Sequence, residues 1–594
     1  MILNTGGRTD TVQYYTEWLL RRFEEGYVLS RNPLFPNKVT RYELTPDKVD
    51  CVVFCSKDYK PILPRLHEIT DRFHTYFHYT ITAYGKEIEP GVPSVEESIR
   101  TLKELSAQVT AFTNEKGTQL QSSPRTGFVD YVRVGRQTPD RAKDAITSLS
   151  HYYPDPIIEQ NGQSVTRDVA QPIWISVPVP TNAEAGTYKA TFSLKGKMGN
   201  QTFELKKEIS VKVYPIVMPQ PDLWVTNWFG TSPDKMKIFN GGKEVEPYSD
   251  VYWEMVQELA DKMKECYSNV ILLSPLEHIE FEEKDGTYTF DYSRFDKMID
   301  IFHRAGVLKM LEGGHIAGRT GDWSSQFAPY VPRYENGKKK LVQYPMESEQ
   351  AVNFYRQFIP SLAAHLKEAY PEVLYAQHIA DEPTSDNIKS YVAIARFVKQ
   401  QCPDIKIIEA CHTHDLENIL DIWVPQLNFY KEGYDFYRER QKQGDETWFY
   451  TCLAPQGDFA NRFLEQPLIK TRLIHWLNFK YGATGYLHWG FNQWFTGNDP
   501  YKETTRMNEE GGNTLPGGDS WIVYPNNGKL YGSIRLEAMR DGIADYTLLK
   551  MLEKKNPELA RELCRLVVFH WTLYDTESDH FRNIRHQILE ELSK

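Results

Sequence analysis

From about residue 222 onward, short apolar runs alternate with segments whose apolar residues recur every three or four positions. The runs lie at 223–228, 269–273, 307–311, 373–379, 405–410, 426–429, 447–451 and 485–488. Between them fall amphipathic stretches such as 252–266, 295–304, 351–369 and 388–401. Eight strand–helix units in series predict a (β/α)8 barrel, and the periodic stretches 534–553 and 557–568 predict helices after it. Upstream the period is two, at 108–112, 127–134, 171–178, 186–194 and 204–213, with Gly-, Asn- and Pro-containing turns between. Strands without intervening helices predict an antiparallel β-sandwich. Pro215, Pro219 and Pro221 then form a stiff linker, since each fixes φ and lacks an N–H donor. The first hundred residues alternate again: strands at 1–4, 50–55 and 77–84, helices at 15–25, 62–73 and 95–105.

The expected architecture is therefore a multidomain α/β and β chain. Residues 1–106 form a truncated α/β segment, 107–221 the sandwich, 222–534 the barrel and 535–594 a helical region packed on it. Composition fits: of 594 residues, 41% are hydrophobic and 25% charged, as in a folded globular protein. The net charge of -11, from 69 basic and 80 acidic residues without a long single-sign block, argues against nucleic-acid or anionic-membrane partners. Seven scattered cysteines do not form a disulfide framework, and Cys51 and Cys55 lack a third cysteine at cluster-binding spacing. The first ten residues contain no apolar signal core and no run is long enough to span a bilayer, so a cytoplasmic location is expected.

The candidate chemistry lies at the strand ends, where barrel enzymes carry their sites. The fourth strand closes on Ala380-Asp381-Glu382-Pro383. Asp, Glu and Pro also open helices, so capping competes with chemistry here. The other ends bring Trp228; Glu312 and His315; His412 and His414; Asn428 and Tyr430; Tyr450; and His488, Trp489, Asn492 and Trp494. Carboxylates, amides and aromatic faces converging on one mouth suit a sugar pocket. An ordinary glycosidase sets two carboxyl groups roughly 5–10 Å apart across the scissile bond. Strand neighbours point to opposite faces and fit that poorly. They suit substrate assistance better: one carboxylate protonates the leaving oxygen, and the other steadies a 2-acetamido group that attacks C1 itself. His412, His414 and Cys411 lack a third ligand at metal spacing, so no metal or other cofactor is expected.

Two resemblances follow. Met1-Ile2-Leu3-Asn4, Gly7-Arg8-Thr9-Asp10, Glu25-Gly26-Tyr27-Val28 and Thr82-Ala83-Tyr84-Gly85-Lys86 resemble the start of domain of unknown function 1848, which breaks off after about a hundred residues. That segment reads as a truncated structural module. The remainder resembles glycoside hydrolase family 123 and the related domain of unknown function 4091. It does so through Ala380-Asp381-Glu382-Pro383, Gly485-Tyr486-Leu487-His488-Trp489-Gly490 and the stretch from Arg535-Leu536-Glu537 to Asp545-Tyr546. The resemblance implies a sandwich before a barrel and exo-acting β-N-acetylgalactosaminidase activity on a glycan with a terminal β-N-acetylhexosamine. It implies Glu382 as acid/base and Asp381 as the acetamido-stabilising residue. Trp228, His315, Asn428, Tyr430, Tyr450, Trp489, Asn492 and Trp494 are the expected substrate-binding residues. Arg535, Arg540, Asp541 and Asp545 are expected on a solvated, salt-bridged helix. Two alternatives stay open: a glycosidase with a conventional second carboxylate such as Glu312 or Asp415, and a non-catalytic sugar-binding protein.

Overall fold

The computed structural model describes residues 27–32, 35–43, 102–148, 151–165, 170–198, 201–507 and 514–594. The elements predicted at 1–4, 15–25, 50–55, 62–73 and 77–84, with Cys51 and Cys55, lie outside the described residues. Two compact units emerge. The smaller comprises residues 1–109, 160–171 and 191–208. It contains an antiparallel hairpin of Tyr27–Asn32 and Phe35–Glu43. It also contains Leu102–Val109, paired antiparallel so that Ala107 meets Leu194 and Val109 meets Phe192. The end of the helix predicted at 95–105 is thus strand. Leu105 and Ala107 are buried on alternate positions, and sheet pairing overrides the local helical preference.

The larger unit takes residues 110–159, 172–190 and 209–594. Its antiparallel sheet sets Arg125–Arg133 between Tyr152–Ile158 and Ile173–Ser176. The strand at Tyr152–Ile158 escapes sequence patterning because it carries Pro154 and Pro156. It is an edge strand, where prolines remove no ladder bond the sheet needs.

The parallel barrel follows. Its strands are β1 (Trp224–Asn227), β2 (Val270–Leu273), β3 (Met310–Gly313), β4 (Leu374–Gln377), β5 (Lys406–Ala410), β6 (Ile422–Val424), β7 (Glu446–Thr447), β8 (Phe449–Tyr450) and β9 (Gly485–His488). The sheet runs β7-β6-β5-β4-β3-β2-β1-β9-β8. β7 and β8 are separated only by Trp448, so one interrupted strand supplies both ends of the ring. Trp448 N–H donates to the Trp423 carbonyl (2.8 Å), Tyr450 N–H donates to the Pro425 carbonyl (3.0 Å), and Phe449 pairs with Tyr486 on the other side. Trp448 is fully buried, and a Cβ at Gly485 would come within 2.3 Å of its indole, so that strand position accepts only glycine. The sixth strand therefore lies before the expected 426–429. Leu427–Glu432 is a helix, because Leu427 and Tyr430 are buried at helical spacing. The third strand likewise begins three residues later than patterning suggests, since Val307 and Leu308 are buried in the connection after Gly306. Helices such as Asp250–Glu265 cover the barrel. That one is capped by Ser249 and buries Tyr252, Met255, Val256, Leu259 and Met263 along one stripe. Among the described residues no helix is long and apolar enough to cross a membrane.

The helix Ile534–Lys555 corrects an electrostatic expectation. Arg535 and Asp545 are buried, not solvated. Arg535 makes a two-pronged ion pair with Asp155 (2.8 and 2.7 Å) and donates to the carbonyls of Gly518 and Trp521 (2.7 and 2.9 Å). Asp545 accepts from Arg472 and Arg585. These pairs tie the edge strand Tyr152–Ile158 and the barrel helix Leu468–Tyr481 to the terminal helices. Removing one partner leaves a buried charge unpaired. Asp155→Ala is expected to lower stability by about 3–5 kcal/mol in urea unfolding. A loss below about 1 kcal/mol would show that the Arg535 charge is solvated after all.

Candidate active site

Side chains alternate along a strand, and in this barrel the inward set is Trp224 and Thr226 on β1, Met310 and Glu312 on β3, Ile408 and Ala410 on β5, and Leu487 on β9. Continued past the ends of β1 and β9, the same period brings Trp228 and Trp489 to the mouth, beside Tyr450 at the end of β8. They surround a cavity of about 390 Å³ completed by Asp381, Glu382, Cys452, Leu453, Phe495 and Leu515. The volume and the mostly apolar, aromatic walls are those of a small-molecule site.

Asp381 and Glu382 share this cavity because the chain has left the strand before it reaches them. Helix Ile388–Gln401 starts six residues after Glu382, and the pair caps nothing; Asn387 occupies the N-cap position. Glu382 has φ +44°, a left-handed conformation costly for a residue with a Cβ. The turn is held from outside the barrel by Glu409 of β5. One Glu409 oxygen accepts the backbone N–H groups of Ile379 (3.0 Å) and Ala380 (3.1 Å) and the Tyr391 hydroxyl (3.0 Å). Its other oxygen meets His378 Nδ1 (2.7 Å) and His315 Nε2 (3.2 Å). His378 Nε2 in turn meets Glu312 (2.6 Å), which accepts from Trp228 Nε1 (3.1 Å) and the Thr226 hydroxyl (2.7 Å). A buried chain of Trp228, Glu312, His378 and Glu409 thus connects one cavity wall to the backbone just before the carboxylate pair.

The charge states follow from these contacts. Burial alone would lower the His378 pKa, but carboxylates on both ring nitrogens outweigh it and hold an imidazolium well above the ordinary histidine range. Burial would raise Glu409, but His378 and His315 pull it below the usual carboxylate range. Glu382 moves the other way: burial, then the negative charge of Asp381, push it up to about 7. Its Oε1 accepts from the Tyr450 hydroxyl, which also meets His412 Nε2 at 2.8 Å. Burial pushes His412 down to about 4, so it is neutral at pH 7. Asp381 remains half-exposed, with His315 Nε2 3.9 Å from its carboxylate. Neighbouring carboxyls with divergent environments can divide acid and anion roles between them.

Of the residues expected from sequence, Trp228, Asp381, Glu382, Tyr450 and Trp489 line the cavity, and His315 stands beside Asp381. Trp489 is fixed by its indole N–H on Asp519 (2.9 Å), a buried acid pushed up to about 7 by burial. Four others do not reach the cavity. Tyr430 is core, its hydroxyl on the Tyr481 carbonyl (3.3 Å). Trp494 is core, its indole N–H on the Val523 carbonyl (3.2 Å). Asn492 braces the turn after β1 through both backbone groups of Gly230 (2.9 and 3.0 Å). Asn428 sits on helix Leu427–Glu432 and accepts from Gln426. The strand misplaced at 426–429 accounts for Asn428 and Tyr430. Sequence reasoning missed the roles of Glu409 and His378. Their signal was available: a carboxylate inside Lys406–Ala410 and a histidine in an apolar run must find partners when buried. His315, His378 and Glu409 place three possible metal-ligand atoms within 4.8 Å of one another. Both His378 nitrogens are already committed to carboxylates, so the trio reads as a hydrogen-bonded relay. His412 and His414 stack instead on Phe429 and Phe436.

Comparison with known proteins adds the following. The model of the glycoside hydrolase 123 catalytic domain matches residues 241–552, just over half the chain, and that of the glycoside hydrolase 123 N-terminal domain matches residues 95–196. Domain of unknown function DUF1848 matches residues 2–113. No curated protein matches. Among solved structures, a family 123 glycoside hydrolase from Clostridium perfringens, studied for glycolipid glycan hydrolysis, superposes with a TM-score of 0.60 at 16% identity, covering 83% of this chain and 88% of the other. A β-D-glucuronidase from Dictyoglomus thermophilum gives 0.31 at 9% identity over 75% and 68%. A GH2 β-galacturonidase from Eisenbergiella tayi gives 0.29 at 12% over 74% and 72%. The first shows a shared fold; the other two are too distant to inform the site.

The relay predicts an observable charge state. In histidine ¹⁵N spectra at pH 8, one ring, assigned by its loss in His378→Gln, is expected to keep both nitrogens protonated. A neutral-tautomer pattern for that ring would contradict the relay. Because the native pKa is raised, the stability it contributes is fully present below about pH 6.5, the ordinary histidine value. It is lost as pH rises through the native value.

Proposed function

Because the chain belongs to glycoside hydrolase family 123, we propose that it is an exo-acting β-N-acetylgalactosaminidase that cleaves terminal sugars by substrate-assisted, retaining catalysis. The observation that carries this reading is the pair Asp381 and Glu382 lining one cavity, one half-exposed and one mostly enclosed with its pKa pushed up to about 7. Glu382 donates its proton to the glycosidic oxygen. Asp381 accepts the acetamido N–H and balances the charge that develops as the acetamido oxygen attacks C1 and the aglycone leaves. Water then opens the oxazolinium from the opposite face, and Glu382, now a carboxylate, takes the water's proton; the product keeps the β configuration. Tyr450 hydrogen-bonds Glu382 Oε1, which leaves Oε2 to carry the transferable proton. Trp228 and Trp489 supply aromatic faces for the ring.

The fixed state of the other carboxylates supports this route over a conventional pair. Both oxygens of Glu312 are engaged by Thr226, Trp228 and His378, and Asp415 is exposed and bonded to Thr413. Glu312 has no oxygen free to attack C1, and Asp415 does not line the cavity. A β-GalNAc aryl glycoside is expected to be hydrolysed and the matching β-galactoside, which lacks the acetamide, to be inert. Asp381→Asn should lower kcat by roughly 10²–10³-fold and Glu382→Gln by on the order of 10²–10⁴-fold. Unchanged turnover in Asp381→Asn would sink the proposal.

The pH profile gives an independent check. Activity requires protonated Glu382, so kcat/KM should fall as pH rises through about 7. The Asp381 charge helps hold that proton, so in Asp381→Asn the residual activity should lose its basic limb at lower pH. A limb that stays put or moves upward would separate the titrating group from this pair.

A further inference from the structure

Among the large hydrophobic side chains left exposed, one is a tryptophan, Trp323, with 57% of its surface open. It stands in the turn between strands Ala317–Arg319 and Phe327–Glu335. Exposed loop residues ordinarily have little to hold them. This one is fixed to the segment that carries Asp381 and Glu382. Ala317 N–H donates to the Ile379 carbonyl (2.9 Å), two residues before Asp381. Arg319 Nη2 donates to the backbone carbonyl of Glu382 itself (2.8 Å), and Arg319 Nε donates to the Trp323 carbonyl (2.9 Å). Buried Asn387 donates to the carbonyls of Trp323 and Ser325 (3.2 and 3.3 Å). Gln326 reaches the Asp386 carbonyl (2.7 Å). The Arg319 guanidinium lies 3.7 Å from the Trp323 ring centroid and covers one face of the indole. More than half of the residue's surface stays open, and among the described residues no hydrogen bond takes the indole N–H. A rigidly mounted aromatic plate, one guanidinium away from Glu382, has no packing role that would account for its exposure.

We propose that Trp323 and Arg319 form the binding site for the sugar on the leaving-group side of the scissile bond. This rests on the reading of Glu382 as the acid, because the acid faces the glycosidic oxygen and hence the aglycone. The C–H face of an aglycone pyranose stacks on the exposed Trp323, and the unspent N–H donors of Arg319 point to its hydroxyls or to an acidic substituent. Mounting the plate on the Glu382 turn holds aglycone and acid in one frame, so binding the second sugar aligns the oxygen that must accept the proton.

The test compares two substrates in the full chain. One is a disaccharide with β-linked GalNAc at its non-reducing end; the other is β-GalNAc fluoride, whose leaving group is too small to reach Trp323 and needs little protonation. In Trp323→Ala, kcat/KM on the disaccharide is expected to fall roughly tenfold or more beyond any fall on the fluoride, and Trp323→Phe should recover most of the difference. Equal losses on both substrates, or no loss on the disaccharide, would overturn the subsite. If the wild type hydrolyses neither substrate, the hexosaminidase reading fails by itself. The subsite is then decided by calorimetric titration with the disaccharide: binding weakened in Trp323→Ala supports it, and binding unchanged overturns it.

Discussion

The candidate site depends on a carboxylate that never touches its cavity. Glu409 sits between β5 and helix Ile388–Gln401 and receives two consecutive backbone N–H groups, a tyrosine hydroxyl and two histidines. A buried charge is costly unless every lone pair is used, and here the bonds are spent on the residues just before Asp381 and Glu382. The left-handed turn at Glu382 persists because the backbone on its N-terminal side has no freedom to relax.

From this one anchor the electrostatics divide. His378, held charged between Glu409 and Glu312, satisfies two buried acids with a single cation. Glu382 receives no such cation at its carboxyl; burial and a carboxylate neighbour raise its proton affinity, and the Tyr450 hydroxyl offsets only part of that rise. One end of the barrel therefore contains acids pushed in opposite directions, Glu382 up and Glu409 down. What differs is the partner each one meets.

The mouth itself is kept in shape by contacts remote from it. The interrupted strand at Trp448 closes the ring, and the Arg535–Asp155 pair fixes the terminal helix to the sheet that precedes the barrel. Arg462, buried beneath the Trp489 loop, donates to the Gly490 carbonyl (2.5 Å) and to Asn227 (3.2 Å), which joins the ends of β9 and β1. Motifs that look alike in sequence thus do different work. Gly485–His488 with Trp489 builds a cavity wall, whereas the conspicuous charges from Arg535 to Asp545 are structural.

Local pattern determined much. Alternating period-two and period-3.6 segments contained the antiparallel sheets, the barrel and its helices, and placed Asp381 and Glu382 at a strand end, because burial imposes periodicity on each element separately. Where the period was short or ambiguous, as at 426–429, a buried helical turn passed for a strand and carried Asn428 and Tyr430 into the expected site with it. Prolines hid the edge strand at Tyr152–Ile158. The pairings that give the site its chemistry lay beyond local pattern altogether. Glu409 and His378 are separated by 31 residues, Trp228 and Glu312 by 84, and Tyr450 and Glu382 by 68. Nothing in a linear spacing records which buried acid will meet a cation and which a neighbouring carboxylate. That choice is made when the strands take their places in the ring, and it alone separates the raised pKa of Glu382 from the lowered one of Glu409.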